Sequence, residues 1–306
     1  MINIAKKRKK IELYGKTVGK IDNYMSVPKL YDYYFNYINS IIKHVTSIDP
    51  DKYYPDSKSK NNSKKIWFMW WQGIEQAPQI VKNNFQNLKS IFGEDNVILI
   101  TQKNYKNYTN ISNEIAKLVS EEKIGFANWS DIVRFNILRN HGGLWIDATV
   151  TVSPRFKEYY EENKDSFLTL GSAKKNYRNV SNGRWVIWLI GGEKDYYLFR
   201  YIDDFYANYF KEYSSVLEYF FTDDIIAHFY NSNSFFKKEI DNLAAFPKWE
   251  RYYMFDRLKD KYDKAVIDKF NTELLYSVQK LSYKYPKSWE ESGTLLHHIL
   301  EEGYGE

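Results

Sequence analysis

Between residues 28 and 46, apolar and aromatic side chains recur at helical spacing, with Leu30, Tyr31, Tyr34, Phe35, Ile38, Ile41, Ile42 and Val45 on one face. Ser26, Val27 and Pro28 just before them supply a capping hydroxyl and a proline suited to a first helical turn, so the pattern predicts an amphipathic helix over 28–46. The polar stretch 49–65 (DPDKYYPDSKSKNNSKK) has no period and reads as a linker. Beyond it, apolar runs at 66–71, 97–100 and 144–146 predict strands, separated by helical stretches beginning near Pro78 and spanning about 112–122 and 128–140. Strands alternating with helices imply an α/β domain with a mainly parallel central sheet flanked by helices. Further on, apolar stretches at 167–170 and 185–190 alternate with aromatic-rich helical ones at 195–213, 215–230 and 263–279, whose Tyr and Phe are assigned mostly to packing. The chain divides on this reading into an N-terminal arm with its helix, 1–63, and one α/β domain, 64–306.

Composition changes this picture at the N-terminus. The net charge of +5 conceals an asymmetry, because residues 1–65 carry 14 Lys and Arg against 6 Asp and Glu, while the remainder is net acidic. The run Lys6, Lys7, Arg8, Lys9, Lys10 reads as a solvated tail or as a patch attracted to anionic lipid headgroups, at about 1 kcal/mol per basic residue near the surface. Nucleic acid is not the expected partner, because the aromatic residues are not interleaved with basic clusters. The chain has 28 Tyr and 9 Trp, enough apolar surface for a core, and no Cys, which excludes disulfides, thiolate zinc sites and cysteine nucleophiles. No run approaches the roughly 20 apolar residues of a membrane span, and MINIAKKRKK lacks the apolar stretch of a secretory signal, so the expected location is cytoplasmic or peripheral on the inner membrane face.

The densest chemical cluster is ANWSDIVRFNILRNHGGLWIDATV, residues 127–150. Asp131 and Arg134 stand three apart on a predicted helix and share a face, with Asn128 or Ser130 available to cap its start. Gly142 and Gly143 close that helix and lead into a strand that delivers Asp147 to its carboxyl end, where ligands of open α/β sheets bind. Two carboxylates and a guanidinium converging on one crevice suit a sugar with hydroxyls to orient and a diphosphate to neutralise. Residue types alone also allow an ordinary surface ion pair and a strand-terminating aspartate.

The order A-x-x-S-D-x-x-R followed by G-G-x-x-x-D resembles the sugar-nucleotide site of glycosyltransferase family 32 and the related clostridial toxin glucosyltransferases. GGLWIDATV is closer still to the capsular polysaccharide synthesis branch, and IWFMWWQGIEQAPQIV and KLSYKYPKSWEESGTLLHHIL resemble the first strand with its helix and the last segment of those enzymes. The resemblance spans roughly 64–300 and implies a GT-A, Rossmann-like fold. It implies a retaining hexosyltransferase that uses UDP-galactose or UDP-glucose and a lipid-linked oligosaccharide acceptor in surface polysaccharide synthesis.

Residue by residue, the resemblance puts Trp70, Trp71 and the adjoining Gln72 at the nucleotide base, with core packing as the other use of either Trp. Asp131 matches the carboxylate that bonds a donor-sugar hydroxyl, Arg134 the guanidinium spanning sugar and phosphate, and Asp147 the first aspartate of a D-x-D motif. The second aspartate, the usual direct ligand of Mn²⁺ or Mg²⁺, is Thr149 here, a poorer donor for those cations. His297 or His298 could complete a metal site, or Lys280 and Lys284 could neutralise the leaving diphosphate instead. Asp223 and Asp224 are candidates for an acceptor-side base, with Asp224 taken forward, or they cap their own helix. A catalytically inactive scaffold is the competing reading, with Thr149 in its favour. A dinucleotide-dependent enzyme is excluded by the lack of G-x-G-x-x-G after a strand.

Overall fold

A computed structural model describes residues 4–55, 63–164, 166–172, 175–243 and 249–305. The chain opens with two helices, α1 (Ala5–Asp22) and α2 (Pro28–Val45). Then come β1 (Ile66–Met69), α3 (Gln79–Phe92), β2 (Val97–Ile100), α4 (Asn113–Ser120), α5 (Phe126–His141), β3 (Gly143–Ile146), β4 (Val150–Val152) and α6 (Pro154–Asn163). The remainder is β5 (Leu168–Thr169), β6 (Leu189–Gly192), α7 (Tyr197–Glu212), α8 (Phe221–Ser232), α9 (Ser234–Leu243), α10 (Lys264–Thr272), β7 (Val278–Lys280) and α11 (Leu295–Glu302).

The main sheet has the order β2-β1-β3-β6-β5; β1 runs parallel to β2 and β3, and β6 is antiparallel to both its neighbours, so it alone is reversed. Both faces are covered. Trp67, Met69, Ile100, Trp145 and Ile190 point into a core shared with α2, α5, α7 and α8, while Ile66, Phe68, Leu144, Ile146 and Leu189 point into one shared with α3, α6, α10 and α11. Burial on both faces explains why these strands read as continuous apolar runs and not as alternation. A separate ribbon pairs β4 with β7.

Gly142 ends α5 at φ +65° and Gly143 starts β3 at φ +95°. A Cβ on Gly143 would lie 2.4 Å from the Lys65 carbonyl oxygen, so the seam between β1 and β3 has no room for a side chain.

Several expectations shift. The basic run belongs to a helix and is not a free tail: Ile4, Ile11 and Val18 are buried, while Lys6, Lys7, Lys9 and Lys10 face outward. Ser26 does not cap α2; Asp22 accepts the Val27 N–H instead. Neither Asn128 nor Ser130 caps α5, which begins two residues before the first of them, after Gly125. The helix expected over 263–279 ends at Thr272, and 278–280 becomes a strand because pairing with β4 outweighs its helical spacing. Strand β6 begins four residues after the start of its apolar run, and α9 was not foreseen. Part of the expected linker, 56–62, lies outside the described residues; its first part is docked, with the Asn233 amide donating to the Pro50 and Tyr53 carbonyls.

Candidate functional site

A cleft of about 550 Å³ opens beyond the carboxyl ends of β1 and β3, within the roughly 300–1,000 Å³ usual for small-molecule sites. Chain continuity delivers Trp70, Trp71 and Gln72 from β1 and Asp147 to Thr149 from β3, and all six line it. Helix α5 presents Asp131 and Arg134 from one face, and the β4–β7 ribbon carries Lys280 across, since Lys280 is in register with Val150.

Arg134 is the centre of the floor. Its Nη1 donates to Asp131 Oδ1 at 2.6 Å and its Nη2 to Asp147 Oδ1 at 2.7 Å, and its guanidinium lies 5.0 Å from the centre of the Trp145 ring. Trp145 Nε1 also donates to Asp147 Oδ1, at 2.9 Å, and Lys280 Nζ reaches Asp147 Oδ2 at 3.1 Å. The Thr222 hydroxyl donates to Asp131 Oδ2 at 2.8 Å. Asp131 and Arg134 are buried, at 8% and 2% exposure, so they are not the exposed surface pair that residue types allowed.

Burial pushes the Asp147 carboxyl up, but Lys280 and Arg134 outweigh it and hold the group at about 2. Burial raises Asp131 against the pull of Arg134, while the two carboxylates raise Arg134 despite its burial, so the guanidinium stays charged. Among the described residues, Arg134 Nε and the buried Trp70 Nε1 have no hydrogen-bond partner, and both belong to residues of the cleft wall.

The two tryptophans differ in setting. Trp71 packs against Tyr105 and Trp129 and is anchored to the core, whereas Trp70 meets the exposed Tyr283 edge-on at 5.5 Å across the cleft. The Thr149 side lines the cleft while its carbonyl accepts the Leu281 N–H.

Four expected residues stand elsewhere. Asp224 turns into the core beside Glu218, 3% exposed, and burial together with that neighbour pushes its carboxyl well up; Asp223, one position earlier on α8, faces the cleft. Lys284 is exposed beside Tyr283 and is not part of the cleft wall. His298 stacks on Tyr262 at 3.9 Å and pairs with Glu302, and the His297 backbone N–H bonds Thr294; neither imidazole lines the cleft.

At the turn after β3 a divalent cation would meet the carboxylate of Asp147, whose oxygens already receive two cationic groups and an indole N–H, and the hydroxyl of Thr149. Among the described residues no group of three or more His, Cys, Asp or Glu side chains could hold a metal. With a hydroxyl at Thr149, the turn after β3 offers Mn²⁺ or Mg²⁺ a single carboxylate, the low end of the one or two that Mg²⁺ takes beside substrate phosphates.

Sequence reasoning missed Trp145, Thr222 and Trp188. Period-two alternation along β3 places Trp145 on the same face as Asp147, a signal that was available. Thr222 and Trp188 reach the site through tertiary packing alone.

No solved structure matches the chain, and no curated protein does. Among the described residues no helix is long and apolar enough to cross a membrane. A family profile for capsular polysaccharide synthesis proteins matches residues 20–299, from the end of α1 to α11, so the arrangement of Asp131, Arg134, Asp147 and Lys280 lies wholly inside the match and the chain belongs to that family.

Proposed function

We propose that this chain is a retaining GT-A-type glycosyltransferase that moves a hexosyl group, galactose or glucose, from a UDP-sugar to a lipid-linked oligosaccharide during capsule synthesis. The observation that carries the reading is the Asp131–Arg134–Asp147–Lys280 array, its first two members buried, on the floor of a tryptophan-walled cleft. Trp70, Trp71 and Gln72 receive the base. Asp131 orients donor-sugar hydroxyls, and Arg134 and Lys280 supply the positive charge that a departing diphosphate needs. Lys280 takes the charge-neutralising part that a metal has where a second aspartate stands in place of Thr149. Asp223, and not Asp224, accepts the proton of the incoming hydroxyl. The outward lysines of α1 draw the protein to anionic lipid, where a lipid-linked acceptor resides.

Calorimetric titration with UDP, UDP-galactose, UDP-glucose and GDP-mannose, with Mn²⁺ or with EDTA, tests the reading. One UDP-sugar is expected to bind with similar affinity in both conditions. A strict Mn²⁺ requirement would remove the role given to Lys280, and no binding under either condition would leave a scaffold within a polysaccharide assembly complex.

A further inference from the structure

A second chamber, of about 520 Å³, adjoins the cleft and shares Ile187, Trp188, Phe220, Asp223 and Lys280 with its wall. Its outer wall is foreign to the α/β core: Gly15 of α1 and Tyr31 of α2 form one side, and residues 176–183 another. This wall is tied together. Asp22, buried at the end of α1, accepts hydrogen bonds from the Val27 N–H at 3.1 Å and the Tyr177 hydroxyl at 3.0 Å, and pairs with Arg178; Tyr31 meets Tyr177 edge-on at 5.8 Å.

The interior alternates flat apolar surface with polar edges. Two cations lie near the Trp188 ring, Arg251 5.7 Å and Lys280 5.4 Å from its centre, and Tyr252 stands half exposed at the rim. The Arg251 guanidinium reaches the Leu170 carbonyl at 3.4 Å, and among the described residues no carboxylate forms an ion pair with it. Aromatic faces beside unspent hydrogen-bond donors are the surface a sugar ring needs, since its C–H face stacks and its hydroxyls bond at the edge.

We propose that this chamber is a saccharide site that holds the accepting end of the acceptor, with Asp223 and Lys280 at its junction with the donor cleft. This rests on the transfer reading above. The acceptor hydroxyl oxygen bonds the anomeric carbon, the bond from that carbon to the diphosphate breaks with its electron pair leaving on UDP, and the hydroxyl proton passes to Asp223. Helices α1 and α2 then help to select the acceptor, beyond any part in membrane attachment.

The test uses the full chain and a panel of p-nitrophenyl hexosides and N-acetylhexosaminides, with binding read by saturation-transfer NMR. At least one glycoside is expected to bind wild type, and both Tyr31→Ala and Ser181→Trp are expected to weaken it tenfold or more while UDP-sugar affinity stays within twofold. Excess UDP should not displace the glycoside. No glycoside binding, equal binding in both variants, or displacement by UDP would overturn the proposal. If glycosides bind as expected but no UDP-sugar does, the chamber stands and the donor reading fails.

Discussion

Arg134 holds two carboxylates apart with two different nitrogens, a geometry a lysine cannot copy with its single ammonium. For the proposed transfer, Arg134→Lys is therefore expected to lower kcat/KM about a hundredfold or more while the protein still folds. Arg134→Ala, by contrast, leaves Asp131 and Asp147 without their common partner and should cost roughly 3–5 kcal/mol in urea unfolding, which would confuse lost chemistry with lost structure. Asp223 is pushed up to about 7, first by burial and then by Asp131. In the proposed role of proton acceptor it must be ionised, so kcat should rise with pH through about 7, and Asp223→Asn should abolish that limb along with most of the turnover. A pH profile unchanged in the variant would take Asp223 out of the mechanism. At this scale Asp131, Arg134 and Asp147 were legible because strand-end and helix-face geometry follow from spacing. The choice between Asp223 and Asp224 was not: it turns on the rotation of α8 against α2 and α7, and Glu218 lies before that helix begins.

Element by element, the strands and the helices of the first half were readable from apolar periodicity, because each buries a face or a whole run against the sheet. The later half was less so. Aromatic residues there are so dense that helical spacing persists past helix ends, and only the pairing partner of 278–280, more than 120 residues earlier, decides its state. Helix α2 tests whether the N-terminal pair is integral. Ile38 and Ile42 are fully buried in the core shared with α7 and α8, so Ile38→Ala should cost about 2–5 kcal/mol of the global unfolding free energy in a single transition. A separate, earlier transition for the variant would mean that α1 and α2 unfold independently of the sheet.

For the whole molecule, the buried carboxyls set opposing pH limits. Asp147, held at about 2, contributes stability above about pH 4 that is lost as pH falls through 2, while Asp223, raised to about 7, contributes stability below about pH 4 that is lost as pH rises through 7. Asp224 acts in the same direction as Asp223. The melting temperature should thus fall from pH 5 to pH 8 while turnover climbs, and Asp223→Asn should raise the melting temperature more at pH 8 than at pH 5. The sheet seam carries a different consequence. A residue other than glycine at 143 would collide with the backbone of Lys65, and one at 142 with that of Lys194 at 2.5 Å. A saturation screen scored by capsule production would therefore rank these two glycines beside Asp147, although neither lines the cleft. Intolerance to substitution across GGLWID is thus a composite of two demands, room for the chain to pass and a charge to hold, and a screen scored on soluble protein yield would separate the glycines from the aspartate.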